Sequence, residues 1–301
     1  MKKGIHYWAL PQGISLREKM HFAKSLGFDG LELVIVENGE LPPDCDNKKL
    51  EEIRRAAKEE EIEIIALSNS ENWKCSFTSE DPVIREKAKD TLIRQIQMTA
   101  ALGSEVALAL PGFVSVDFIS DDLHPSVRTH GERQYHPGRE IIDYEKAYIQ
   151  SVQAFREIAS VAKQHHVVVG IENIWNGFLL SPLEMRDFID EIGSEYVKAY
   201  FDIGNVLPFG HPEQWIRILG SRIRRVHIKD YRYGCNSVNG FVNLLSGDID
   251  FVKVTDALRE AGYDGWITAE VNEKRDFPEF AARVSSIALD YMLAERSENH
   301  V

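Results

Sequence analysis

Val167-Val168-Val169-Gly170-Ile171-Glu172-Asn173 is the stretch that decides how this chain folds. An apolar, β-branched run of this length reads as a strand buried on both faces, the habit of parallel sheets. Glu172 closes it, and a carboxylate at the end of a buried strand is costly unless a positive group meets it. Three later runs close in the same way: Val197 to Asp202, Ile223 to His227 and Gly265 to Glu270. Four buried strands that each carry one metal-type ligand near the C-terminal end call for a shared cation. That pattern marks an enzyme.

The same beat extends outward from Glu172 in both directions. Strands are predicted at 4–10, 30–34, 62–67, 106–110, 167–172, 197–202, 223–229 and 266–271, each followed by a helical pattern. Ser15 is placed to cap the first helix, and Gly27 and Gly103 to stop the first and third. Eight strand–helix units in 301 residues suit a single-domain (β/α)8 barrel, the TIM-barrel architecture, spanning 1–295 with a polar tail at 296–301. A doubly wound sheet also alternates, but no GxGxxG or GxxxxGK[ST] appears after any strand, and the ligands come from several strands. The rhythm breaks only in an enlarged loop after strand four, 112–143. This loop holds His124, Arg128, His130, Arg133, His136 and Arg139, a set able to bind phosphate or simply to stand in solvent.

Strand parity sorts the side chains. Val168 and Gly170 share a face with Glu172, Tyr200 with Asp202, Arg225 and Lys229 with His227, and Trp266 and Thr268 with Glu270. All of these are expected to point into the barrel. Three carboxylates and one imidazole, with no thiolate, suit one divalent cation: Mn2+ first, with Mg2+, Co2+ and Zn2+ also admitted.

Composition bounds the partners. With 44% hydrophobic residues the chain can bury a large core, and its formal net charge of -13 repels nucleic-acid backbones and anionic lipid surfaces. Cys45, Cys75 and Cys235 form no CxxC or Cys/His cluster, as expected for a reducing cytoplasm. The apolar stretch after Met1-Lys2-Lys3 is broken by His6, Pro11, Gln12 and Gly13, so it reads as a first strand and not as a targeting segment. No run approaches the ~20 apolar residues of a membrane helix.

Six motifs together carry a resemblance. They are Gly-Phe-Asp-Gly-Leu-Glu at 27–32, Ile-Glu-Asn at 171–173, Phe-Asp-Ile-Gly-Asn at 201–205, Val-His-Ile-Lys-Asp at 226–230, Gly-Asp-Ile-Asp-Phe at 247–251 and Gly-Tyr-Asp-Gly-Trp-Ile-Thr-Ala-Glu at 262–270. In this order the chain resembles the sugar-phosphate isomerase/epimerase group of xylose-isomerase-like TIM barrels, which includes ketose 3-epimerases, inosose dehydratases and endonuclease IV relatives. The resemblance implies that Glu172, Asp202, His227 and Glu270 are metal ligands and that Glu172 and Glu270 are also the acid/base pair. It implies proton abstraction beside a metal-held carbonyl of a ketose or ketose phosphate through an enediolate, giving epimerisation or isomerisation. An inosose-type dehydratase and a non-catalytic sugar-binding barrel are the alternatives. The endonuclease IV reading lacks Asp-x-x-His at 202–205 and an Asp-x-His soon after His227. A small sugar or sugar phosphate is therefore the expected partner, in a homo-oligomer, dimer or tetramer, without nucleic acid or membrane.

Asn205 stands where epimerases of free ketoses often carry histidine, and Asp-x-Gly-Asn is closer to the branch acting on phosphorylated ketoses. Glu32 matches a family position that tends to face the pocket, although an ion pair would serve as well. Lys229 is placed to hold a substrate oxygen or phosphate, or to neutralise Glu270. Asp230 can orient His227 or cap the following turn. Trp8, Trp73 and Trp175 can wall a sugar pocket or fill core.

Overall fold

The computed structural model describes residues 1–115, 141–235, 238–271, 277 and 279–294. Eight parallel strands close into a barrel: β1 (Lys2–His6), β2 (Gly30–Ile35), β3 (Glu63–Asn69), β4 (Val106–Ala109), β5 (Val168–Glu172), β6 (Val197–Asp202), β7 (Ile223–Ile228) and, last in the chain, β10 (Trp266–Ala269). A small antiparallel hairpin, β8 (Asp230–Tyr231) and β9 (Phe241–Val242), interrupts the count. The helices among the described residues are α1 (Leu16–Ser25), α2 (Asn47–Glu59), α3 (Pro82–Ala101), α4 (Tyr144–His165), α5 (Pro182–Ile192), α6 (Pro212–Leu219), α7 (Phe251–Glu260) and α8 (Phe280–Leu293). None of them is long and apolar enough to cross a membrane. The expected (β/α)8 barrel is the fold, and the doubly wound sheet, which is open, is excluded because the eight strands close on themselves, the first, β1, pairing with the last, β10.

The local signals work as chemistry requires. Ser15 and Glu18 form a reciprocal capping box at the start of α1. Asp46, Asp143, Ser181 and Asp250 each accept a backbone N–H at the first turn of α2, α4, α5 and α7. Two apolar regions result. The larger lies between the strands and the helices. A smaller one fills the barrel with Ala66, Val106, Leu108 and Tyr200, against which Val168 packs. Val168 and Tyr200 are therefore on the inner face that parity assigned to them.

Glycines make room inside. A Cβ on Gly30 would overlap Ile65 Cγ2 and lie 2.8 Å from Trp266 Cζ3, at the floor of the barrel. The backbone of Gly30 is not in the left-handed region, so the constraint is purely steric. Gly30→Ala is expected to lower unfolding free energy by about 1–3 kcal/mol through overpacking. Thermal and denaturant unfolding would measure this, and an unchanged midpoint would show that the floor can relax.

The structure corrects several boundaries. β1 stops at His6 instead of running to Leu10, because Tyr7–Ala9 turns into a 3-10 helix capped by the His6 ring. The C-terminal helix starts at Phe280. The hairpin β8–β9 lies in a stretch with no periodic signal. Residues 116–140 of the enlarged loop, which include His124, Arg128, His130, Arg133, His136 and Arg139, lie outside the described residues, as does the tail 296–301.

Candidate functional site

Register brings the ligand-type residues to one level at the C-terminal mouth of the barrel. Asp202 on β6 pairs with His227 on β7, and His227 pairs with Thr268 on β10. Glu270 follows β10 directly, its N–H donating to Ile228 O at 3.0 Å. Glu172 ends β5 beside Tyr200. His227 Nδ1 lies 3.1 Å from Glu172 Oε1, 3.7 Å from Glu270 Oε2 and 3.9 Å from Asp202 Oδ2. The four residues each offer a ligand atom, all within 4.8 Å of one another. A cation bonded at ~2.0–2.6 Å holds its donors about 3–5 Å apart, so the group fits a divalent ion both in spacing and in donor chemistry.

Asp202 is held from several sides. Asn173 Oδ1 accepts the Asp202 N–H and Asn173 Nδ2 donates to Asp202 O, both at 2.8 Å. Asn205 N–H donates to Asp202 Oδ1 at 2.8 Å, and Asn205 Nδ2 reaches Asn173 O at 2.9 Å. Trp175 Nε1 in turn donates to Asn205 O at 2.9 Å. One carboxylate oxygen is thereby fixed by the loop after β6, and Oδ2 is left facing the centre. There it meets Lys229 Nζ at 2.8 Å, and the same ammonium pairs with Glu270 Oε2.

Electrostatics separate the two glutamates. Burial, helped by the nearby Glu270 and Asp202 charges and opposed by His227, pushes Glu172 up to about 7. Glu270 is partly buried, but Lys229 and His227 outweigh that effect and hold it well below the usual carboxylate range. One carboxyl is thus biased toward the acid and the other toward the base. Burial disfavours the charged form of His227, but Glu32, Glu270 and Glu172 overcome this and raise it well above the ordinary histidine value.

The remaining sequence candidates have distinct places. Glu32 is fully buried beneath His227, not at the open mouth. Asp230 accepts N–H groups of Tyr231, Gly247 and Ile249 at 2.8, 2.6 and 3.3 Å, which is the turn-capping alternative. Trp175 stacks on Phe241 with ring centroids 5.2 Å apart and forms a wall behind Lys229, whose Nζ lies 4.9 Å from the same Phe241 ring. Trp8 follows β1, half-buried and edge-on to Tyr7. Trp73 tilts over Phe113 beside the inner cluster.

Sequence reasoning missed His6. It is buried, and its ring lies edge-to-face with His227 at 5.6 Å. The signal was present, since His6 sits in register with Glu32, but it shows only if β1 is ended at His6.

A model of the family described as xylose isomerase-like TIM barrel matches residues 20–291. An uncharacterized protein of Methanocaldococcus jannaschii is 24% identical over 291 residues, covering 92% of this chain and 85% of its own. An L-ribulose-5-phosphate 3-epimerase of Shigella flexneri serotype 5b is 22% identical over 267 residues, covering 87% of this chain and 84% of its own. Among solved structures, D-psicose 3-epimerase from Clostridium cellulolyticum H10, determined with D-tagatose, superposes with a TM-score of 0.75 at 20% identity, covering 97% of this chain and 98% of that one. At that identity the likeness is one of fold.

Proposed function

The chain belongs to the xylose isomerase-like TIM-barrel family, and from that premise we propose that it is a divalent-metal-dependent epimerase of a ketose or ketose phosphate. The observation that carries this reading is the pair Glu172 and Glu270. They flank one polar centre, Glu172 Oε1 and Glu270 Oε2 lying 3.1 and 3.7 Å from His227 Nδ1. The names of the relatives, 3-epimerases of a ketose phosphate and of a free ketose, support the reaction class.

Glu172, Asp202, His227 and Glu270 would hold the ion, Mn2+ being the first choice for three carboxylates and one imidazole. When bound, it supplies positive charge that stabilises an enediolate forming beside it. One glutamate takes the proton from one face of the carbon next to the ketone, and the other returns a proton to the opposite face. Lys229, at the mouth, orients a substrate oxygen. Asn205 contributes through its hold on Asp202, while Trp8 and Trp175 bound the pocket from β1 and β5. Placement in the cytoplasm, supported by the free thiols of Cys45, Cys75 and Cys235, and assembly as a dimer or tetramer complete this reading.

The test is proton exchange in heavy water. Metal-stripped protein is reloaded with Mn2+, incubated with a panel of ketoses, their phosphates and an inosose, and the products are read by NMR. Metal-dependent deuterium at C3 together with the inverted sugar is the expected result. Exchange confined to C1 or C2 would make the enzyme an isomerase, and loss of water a dehydratase. Protein that holds Mn2+ yet exchanges no ketose would sink the epimerase reading.

A further inference from the structure

Below the four-residue centre lies a layer of buried groups that the proposed reaction does not touch. Glu32 is its middle. Its Oε2 accepts from the Tyr200 hydroxyl and from His227 Nε2, the latter at 2.9 Å. Its Oε1 is buried and has no hydrogen-bond partner among the described residues, with His6 Nε2 3.6 Å away. A buried carboxylate with fewer donors than it can accept pulls strongly on those it has.

His6, Glu32 and His227 together have ligand chemistry of their own. The hydrogen bonds argue against a second ion. His6 Nδ1 accepts the Trp8 N–H at 3.2 Å, which places the His6 proton on Nε2. Ser68 Oγ donates to Leu33 O at 3.2 Å and so offers a lone pair to that Nε2–H at 3.3 Å. His6 therefore presents a proton, not a lone pair, to Glu32.

We propose that Glu32, held in place by Tyr200 and faced by His6, is a positioning residue that fixes the His227 ring with Nε2–H turned away from the centre and Nδ1 turned into it as the metal ligand. The geometry rests on opposite edges of one ring: Nε2 at 2.9 Å from Glu32 Oε2, and Nδ1 at 3.1 Å from Glu172 Oε1. The Tyr200 ring, 4.4 Å from His227 between centroids, blocks rotation of the imidazole from one side. Gly170 leaves the space that this tyrosine fills, since a Cβ there would lie 3.0 Å from Tyr200 Cδ2. A carboxylate behind a ligating histidine sets both its tautomer and its basicity, and losing it typically costs about 10–100-fold in metal affinity. The inference rests on the proposed metal site, and its test separates the two.

The wild-type protein and Glu32→Gln are titrated with Mn2+, and both are examined by nitrogen NMR of isotopically labelled histidine after loading with a spin-active cadmium isotope. Wild type is expected to show cadmium coupled to His227 Nδ1, with the proton retained on Nε2. Glu32→Gln is expected to fold, to bind Mn2+ about 10–100-fold more weakly and to lose the single Nε2–H signature. Tyr200→Phe, which keeps the carboxylate, should show a smaller loss in the same direction. Coupling to Nε2 in wild type overturns the proposal even if the variants fail to fold, and so does unchanged Mn2+ affinity in folded Glu32→Gln. Wild-type protein that binds no divalent ion would instead remove the metal-site reading and this inference with it.

Discussion

Replacing Glu172 by glutamine is expected to lower inversion of the substrate by about 10²–10⁴-fold while leaving solvent exchange in one of the two epimers. Glu270→Gln should give the mirror result. The reason lies in the division of labour between two carboxyls around one carbon. Inversion requires removal from one face and return to the other, so it fails when either group is lost. Removal and return by the surviving carboxylate on its own face still exchanges that hydrogen with solvent, but only in the epimer that presents its C–H to that face. Glutamine keeps the volume and a side-chain oxygen at the place where Glu172 Oε1 lies 3.1 Å from His227 Nδ1, so the fold is not the variable. Because both residues are also expected ligands, the comparison is made at saturating Mn2+ with loading measured separately. Equal loss of exchange from both epimers in both variants would assign the glutamates to metal binding alone.

The legible part of this site was the part written in local periodicity. Val168, Gly170 and Glu172 alternate through a buried strand, and Val168 does pack inside the barrel. Asp202 and His227 end neighbouring strands, and register alone sets them side by side. The Glu32–His227 pair was not legible, because its partners are 195 residues apart and meet across the barrel. His6 was hidden for a different reason. Tyr7-Trp8-Ala9-Leu10 is as apolar as a strand, and what ends β1 is a side-chain hydrogen bond from the Trp8 N–H to His6 Nδ1, which competes with the ladder. β8 and β9 are two residues each, too short to show a period, yet they carry the Phe241 ring that backs Lys229. Asp230 had two uses open to it. The spacing cannot choose between them, whereas the three backbone donors of the following turn do.

Lys229→Met is expected to destabilise the metal-free protein by about 3–5 kcal/mol, the usual cost of removing one partner from a buried ion pair. The centre and the layer below it gather the carboxyls of Glu32, Glu172, Asp202 and Glu270 around two cationic groups, His227 and Lys229. Already Glu172 is pushed up to about 7 by its burial and this crowding. Lys229 is itself largely covered, which disfavours its charge, yet Asp202 and Glu270 keep it firmly protonated. Taking the ammonium away leaves their two oxygens facing each other, and another carboxyl must then take up a proton. A divalent cation would supply the missing charge at the same oxygens. Mn2+ should therefore raise the melting temperature of Lys229→Met by more than it raises that of wild type, because the wild-type ammonium competes for Asp202 Oδ2 and Glu270 Oε2 while the methionine does not. Thermal unfolding of both proteins, with and without Mn2+, closes this cycle. Equal metal-induced shifts would mean that the lysine and the ion occupy different places. A variant fully restored in stability by Mn2+ but still deficient in kcat/KM would show that Lys229 acts on the substrate as well as on its neighbours.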